Sequence, residues 1–181
     1  DRGVYPLHLA YRLFGEPAVV LATGHGAGDV DEHTAVLLRF AKGEVAMLAT
    51  TLSSYGSNAA VLMGTTGRLL IGEPLCRPDT LGLARIEPMK VVRGGGPGPA
   101  GLKERLRHHP LARRVYAAIR PRSRTIRVAY EGNGYVHEAA EVTRCVAAGL
   151  RESPTLPPEM TLGVMRVVER VRESVRTRRS C

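Results

Sequence analysis

Four polar side chains near the start of the chain have the types and spacing of a functional face on one helix. Asp1 and Tyr5 are four residues apart, and His8 and Arg12 follow at intervals of three and four residues. These intervals bring side chains to the same side of a helix. The four groups can donate, accept or exchange protons with a polar partner. The alternative interpretation is that Asp1 caps the helix and the other three are solvated, with Tyr5 a surface aromatic.

Residues 4–14 form the helix that must position these groups. Val4, Leu7, Tyr11 and Phe14 recur with the helical period on the opposite side, so we expect them to face a core. Gly15 and Pro17 end the helix. The helix therefore offers one face to the core and one to something polar.

The rest of the chain predicts an α+β fold: an open, mainly antiparallel β-sheet with helices packed on one face. Short apolar runs are joined by tight glycine-containing turns at 41–43 and 64–67, which is typical of antiparallel hairpins. Strands are predicted at 18–23, 33–40, 44–52, 58–63, 68–71 and 83–87, with an edge strand at 124–130. Helices are predicted at 102–119, 135–148 and 159–176, the last with Met160, Gly163, Val164, Val167, Val168 and Val171 inward.

Length and composition bound the class of protein. The chain has 181 residues, of which 44% are hydrophobic and 24% charged, so we expect a single globular domain over 1–181. It opens with Asp1 rather than Met, and we expect a piece of a longer polypeptide. No apolar run predicts a membrane span and no leader is recognisable. The three cysteines form no CxxC pair, which favours a reducing, cytoplasmic location.

The charge excess and the metal-ligating residue types give weaker signals. The formal net charge is +9, and the basic residues concentrate at 103–127 and 170–179. Tyr116 is the one aromatic residue in these stretches, so a solvated basic surface is favoured over nucleic-acid binding, which stays an alternative. The six histidines show no HExxH spacing, and His33 interrupts the acidic run after Asp29, so no metal site is predicted.

Several short segments occur along the chain in an order and at spacings that together identify a family more specifically than any one segment does. The chain opens with Asp1-Arg2-Gly3-Val4-Tyr5, and Leu13-Phe14-Gly15-Glu16-Pro17 closes the first helix. Further segments are 30–32, 64–69, 132–135, 138–142, 144–145 and 149–154. Together they resemble the C-terminal domain of the glucose–fructose oxidoreductase / inositol dehydrogenase (Gfo/Idh/MocA) family. The opening Asp-x-Gly-x-Tyr is most similar to the dimeric dihydrodiol and xylose dehydrogenases, whereas inositol dehydrogenases have His there.

This resemblance implies a two-domain oxidoreductase of which the chain is the C-terminal part. Members have an N-terminal Rossmann domain that holds NAD(P), and a C-terminal α/β domain whose open antiparallel sheet supports substrate binding and oligomerisation. The glycine fingerprint and a Glu-Lys-Pro segment with an active-site lysine belong to the N-terminal domain. The chain alone is therefore expected to be inactive. Residues 94–123 fit the family least and are expected to be an insertion.

The resemblance also assigns roles at matching positions. Tyr5 matches the family's acid/base tyrosine, and Asp1 matches the carboxylate beside it. Hydride removal from a carbinol carbon requires that a proton leave the oxygen at nearly the same time. A free phenol has a pKa of about 10, so it needs a nearby cation, here the absent domain's lysine, to act as a base. Asp1 would orient that lysine or the substrate hydroxyl, and His8 and Arg12 are candidates for the substrate pocket.

The resemblance therefore predicts the substrate-binding and oligomerisation domain of an NAD(P)-dependent oxidoreductase. The substrate would be a CH–OH group of a sugar, a polyol or a trans-dihydrodiol, with NAD or NADP as the cofactor. The expected partners are the small-molecule substrate, an N-terminal Rossmann domain and further copies of the chain bound through the open sheet face. The alternative is a non-enzymatic module that dimerises or binds a partner through its sheet.

Overall fold

The computed structural model of the protein describes residues 2–26, 30–85, 124–130 and 132–179, with side chains through residue 177. Contacts divide the chain into two compact units, the second made of residues 59–72 and 78–128 and the first of the remainder. The described helices are α1 (Val4–Phe14), α2 (Tyr135–Ala147) and α3 (Pro158–Arg179). The described strands are β1 (Val19–His25), β2 (His33–Arg39), β3 (Val45–Thr51), β4 (Ala60–Met63), β5 (Gly67–Ile71), β6 (Thr80–Arg85) and β7 (Arg124–Arg127).

The first unit contains a three-stranded antiparallel sheet of order β1-β2-β3. Its β2–β3 turn is the predicted hairpin, in which the Phe40 N–H donates to the Glu44 carbonyl at 2.9 Å. Gly43 has φ +96°, a left-handed conformation that glycine adopts without steric cost. Because side chains alternate along each strand, one face of this sheet can be buried while the other stays exposed.

Helices α1 and α3 cover one face of this sheet and form the core with it. Leu38 and Phe40 are almost completely buried there. The other buried members are Leu7, Ala10, Ala22, Val36, Val164, Val167, Val171 and Val175. At the free edge of β1, the Ser174 hydroxyl accepts from the Ala22 N–H at 2.8 Å and donates to the Ala22 carbonyl at 3.3 Å. Helix α3 therefore both covers the sheet and satisfies backbone groups at its edge.

The second unit contains a four-stranded antiparallel sheet of order β4-β5-β6-β7. Strands β4 and β5 form the predicted hairpin, closed by a hydrogen bond from the Gly64 N–H to the Gly67 carbonyl at 2.8 Å. Strand β7 lies at the end of this order, as expected for an edge strand, and its four residues are exposed.

These observations confirm the α+β class, the antiparallel pairing and the packing of helices on one sheet face, with the strands distributed over two sheets. The inward face predicted for α3 is confirmed, since Gly163, Val164, Val167 and Val171 are buried. In α1, Leu7 is buried and Val4 and Tyr11 pack against the core as predicted, Ala10 is buried in addition, and Phe14 is 39% exposed. Phe14 lies at the helix end, where its ring packs at 5.1 Å from that of Phe40.

Some predicted boundaries shift, and some predictions lie beyond the described part of the chain. Strand β1 continues to His25, beyond the predicted end at residue 23, and β6 begins at Thr80, before the predicted start at residue 83. The predicted helix at 102–119 and the expected insertion at 94–123 lie outside the described residues.

Gly163 allows α1 and α3 to approach closely, and its substitution tests this packing. A Cβ at this position would overlap the hydroxyl end of the Tyr11 ring. Crowding costs about 1–3 kcal/mol and exceeds the gain of about 1 kcal/mol that Ala brings to a helix. We therefore expect Gly163→Ala to lower the free energy of unfolding, measured by urea denaturation. Adding Tyr11→Phe, which removes the crowded oxygen, should restore part of it. Equal or greater stability of Gly163→Ala would contradict this packing.

Candidate active site

Helix α1 carries the predicted functional face. Its first backbone hydrogen bond runs from the Leu7 N–H to the Gly3 carbonyl at 3.2 Å. The helix ends at Gly15, which has φ +80° and donates to the Tyr11 carbonyl at 2.7 Å. Leu7 and Ala10 are buried, so the orientation of α1 about its axis is set by the core.

Tyr5 lies on the first turn of α1 with 53% of its surface exposed. Its phenol can therefore be reached from outside the domain. Asp1, the predicted carboxylate partner, lies outside the described residues. The pairing of Asp1 with Tyr5 stays a prediction.

His8 follows one turn later, and its ring meets the start of α3. The His8 Nε2 atom lies 3.4 Å from the Met160 Sδ atom. His8 is half-buried, whereas Tyr5 is exposed. The thioether contact holds the imidazole against the scaffold, on the same polar side of α1 as Tyr5.

Arg12 continues this side and reaches the segment between α2 and α3. Its Nη1 donates to the Thr155 carbonyl at 2.9 Å and lies 3.8 Å from the Met160 Sδ atom. The guanidinium is therefore fixed at one nitrogen rather than merely solvated. The structure thus gives both His8 and Arg12 tertiary partners, and both contact residues 155–160.

A second polar cluster lies where α2 meets the same segment. The Glu141 carboxylate accepts from Arg144 twice, from Nε at 2.9 Å and from Nη2 at 2.8 Å. The Ser153 hydroxyl also donates to Glu141. The hydrogen bonds from Arg144 and then Ser153 lower the pKa of Glu141 from 4.5 to about 2. In return, Glu141 raises the pKa of Arg144.

No functional role of this cluster is indicated by the sequence, and for Met160 the helical period predicts only that it faces inward. A signal for the ion pair exists, because Glu141 and Arg144 have the helical i, i+3 spacing. Nothing in the sequence indicates that Ser153 reaches the same carboxylate or that Met160 meets His8. Both contacts depend on how the chain returns after α2.

Groups of metal-ligating residues and membrane-spanning helices were both sought in the described part of the chain. Among those residues, no group of three His, Cys, Asp or Glu side chains could hold a metal ion. Likewise, no helix described there is both long and apolar enough to cross a membrane.

Comparison with known proteins finds relatives for this chain. Residues 1–70 match the family profile described as the GFO/IDH/MocA C-terminal domain. The matched region contains α1 with Tyr5, His8 and Arg12. Over 178 residues the chain is 28% identical to trans-1,2-dihydrobenzene-1,2-diol dehydrogenase of Oryctolagus cuniculus, covering 97% of this chain and 46% of that protein.

Solved structures share the fold. One is UDP-N-acetylglucosamine 3-dehydrogenase from Acidithiobacillus ferrooxidans, with TM-score 0.67 and 15% identity over 97% of this chain and 46% of that one. Another is levoglucosan dehydrogenase in complex with NADH and levoglucosan, with TM-score 0.64 and 20% identity over 98% of this chain and 48% of that one. The chain spans just under half the length of these relatives.

The lowered pKa of Glu141 predicts how this cluster responds to acid. A carboxyl whose pKa is lower in the folded state stabilises the fold above its unfolded pKa, and this contribution is lost as the pH falls. We expect the loss between about pH 4.5 and pH 2, the two pKa values of Glu141. Urea denaturation across this range should show a weaker pH dependence for Glu141→Gln than for the unsubstituted protein. Ser153→Ala should lie between them, because Arg144 remains. Identical slopes for all three would contradict the assignment.

Proposed function

We propose that this chain is a C-terminal domain of the GFO/IDH/MocA family, to whose profile residues 1–70 match, and that it is the substrate-binding and oligomerisation part of an NAD(P)-dependent oxidoreductase. The substrate is a CH–OH group of a sugar, a polyol or a trans-dihydrodiol. The names of the relatives support this range, since they include a dihydrodiol dehydrogenase and dehydrogenases of sugar compounds. The observation that carries the proposal is the exposed Tyr5 on α1, inside the segment that matches the family.

The proposal places the cofactor mainly on a domain that precedes this chain. A dinucleotide site of the Rossmann type needs a parallel βαβ unit with a glycine-rich turn. Every strand pairing in the described residues is antiparallel, so this part of the chain does not fit as the main holder of NAD or NADP. We assign that role to an N-terminal Rossmann domain and expect the chain alone to be inactive. Residues 1–181 then act as one functional domain, with 94–123 as an insertion.

In the proposed reaction, this chain handles the proton of the substrate. A nicotinamide bound by the N-terminal domain would supply the acceptor for the hydride of the carbinol carbon. Tyr5 acts as the phenolate, which the lysine of that domain favours, and its oxygen takes the proton that leaves the substrate oxygen. Asp1 orients the partners of that transfer. His8 and Arg12 border the substrate, held in place by residues 155–160.

The proposed oligomer forms through the face of the first sheet opposite α1 and α3. Cross-strand rows on this open face have exposed apolar side chains, with Met47 82% and Val45 60% exposed. The rows that contain apolar side chains are Val19–Arg39–Val45, Leu21–Leu37–Met47 and Thr23–Ala35–Ala49, whereas the row His25–His33–Thr51 is polar. A contiguous exposed apolar patch is typical of a protein interface. We propose that a second copy of the chain covers it.

The non-enzymatic alternative depends on the same open face. A free-standing module could dimerise or bind a partner through these apolar rows without any catalytic role for Tyr5. The coding sequence upstream of Asp1 distinguishes the two proposed functions. A strand–GxGxxG–helix unit followed by Glu-Lys-Pro supports the dehydrogenase, whereas a start codon next to Asp1 supports the module.

We further propose a cytoplasmic location. The support is the cysteine usage, since Cys76 and Cys145 are free thiols in the described residues. Free thiols are typical of a reducing compartment.

Substitution of Tyr5 tests the proton-transfer role in the complete protein. Trans-1,2-dihydrobenzene-1,2-diol and levoglucosan are suitable probe substrates, with NAD⁺ and NADP⁺ as acceptors. We expect Tyr5→Phe to lower kcat by about 100-fold or more with a small change in KM, because general acid–base catalysis contributes about 10²–10⁴-fold. Tyr55→Phe, at another exposed tyrosine, is the matched control. An unchanged kcat in Tyr5→Phe would remove this residue from the mechanism.

A charge on the open face tests the oligomer. Met47 is largely exposed, so Met47→Glu should leave the protomer folded while placing a carboxylate within the proposed interface. We expect analytical ultracentrifugation to show smaller species for Met47→Glu. Leu162→Glu, at a 57% exposed position of α3 on the helix side, is the control and should sediment as the unsubstituted protein does. A monomeric unsubstituted protein would overturn this proposal.

A further inference from the structure

The segment between α2 and α3 is held by side chains rather than by regular backbone hydrogen bonding. Residues 151–157 belong to no helix or strand. Pro154 and Pro157 have no N–H to donate, which limits the backbone bonds that this segment can make. Its position therefore depends on the few polar groups that contact it.

A chain of hydrogen bonds runs through this segment from α2 to α1. Ser153 donates to Glu141, and the Ser153 hydroxyl oxygen accepts from the Thr155 N–H at 3.1 Å. The carbonyl of the same Thr155 accepts from Arg12 at 2.9 Å. Five residues further on, Met160 contacts His8. Each step links one element to the next, from the Glu141 carboxylate to the polar face of α1.

The ion pair alone does not explain this cluster. The Arg144 side chain is 52% exposed, and exposed helical i, i+3 pairs contribute little to stability. The pair between Glu169 and Arg172 on α3 has the same spacing and an Nη1–Oε1 distance of 2.9 Å. Among the described residues, no third side chain hydrogen-bonds to the Glu169 carboxylate as Ser153 does to Glu141. Glu141 differs because its carboxylate also holds a residue twelve positions away.

We propose that Glu141 and Ser153 are positioning residues that act through Thr155 and Met160 to hold Arg12 and His8 in the substrate site. This inference rests on the proposed function, because it treats the polar face of α1 as the substrate-binding face. Arg144 supports the pair by keeping the Glu141 carboxylate charged and oriented. Small displacements of a substrate-contacting group are costly, since about 1 Å can lower a rate by about 100-fold.

Kinetics of the complete protein test the effect on catalysis, with the two probe substrates named above. We expect Ser153→Ala to lower kcat/KM by about tenfold or more. Ser153→Thr, which retains the hydroxyl, should restore most of it. Glu169→Gln is the matched control and should leave the kinetics unchanged. In a double-substitution cycle, Arg12→Ala should add little to Ser153→Ala, because Ser153 acts through Arg12.

A structural readout keeps this test separate from the proposed function. The ¹³C-methyl resonance of Met160, identified with Met160→Leu, reports the position of the segment without any turnover. We expect it to shift in Ser153→Ala and to stay in place in Ser153→Thr and Glu169→Gln. An unmoved resonance, or unchanged kinetics of Ser153→Ala in an active enzyme, overturns the inference. If the Met160 resonance shifts in Ser153→Ala but the complete protein oxidises neither probe, the positioning of α1 is supported. The lack of oxidation then counts against the proposed function.

Discussion

Burial of the apolar side of α1 between α3 and the first sheet is the interaction on which the candidate site depends. Each buried Leu or Val side chain contributes roughly 1.5–3 kcal/mol, so Leu7 together with Val164 and Val167 strongly favours a single orientation of α1. Because Tyr5, His8 and Arg12 lie on the same helix, that orientation also directs the polar face. The contact of His8 with Met160 follows from this packing, because Met160 lies in the first turn of the helix against which α1 packs.

The same packing leaves the first sheet covered on one side. Strand alternation places Leu38 in the core and Leu37 on the open face, where it is 40% exposed. A helix layer on one side of the sheet completes the core but leaves the apolar side chains of the other side in contact with water. The proposed substrate-binding face of α1 and the proposed interface therefore lie on opposite sides of one small sheet.

Much of the fold could be predicted from sequence because its signals are local. The period of Val164, Val167 and Val171 predicts the inward face of α3, and the glycines at 43 and 64 predict two hairpins. The distribution of strands over two sheets could not be predicted, because local turn signals mark each hairpin but do not show whether β3 pairs with β4. The exposure of Phe14 was missed for a related reason, since helical periodicity does not show where the covering layer ends.

The candidate site, like the fold, has a part that the sequence predicts and a part that it does not. The spacing of Tyr5, His8 and Arg12 matches the helical period, which is enough to place them on one side of a helix. What that side meets, Thr155 and Met160, depends on tertiary packing, and Ser153 bonds in turn to both Thr155 and Glu141. The contacts of His8 with Met160 and of Arg12 with Thr155 join residues more than a hundred positions apart, and their geometry depends on how three helices and a proline-containing segment pack. Helical period is a property of the local backbone, whereas such contacts are a property of the whole packed unit.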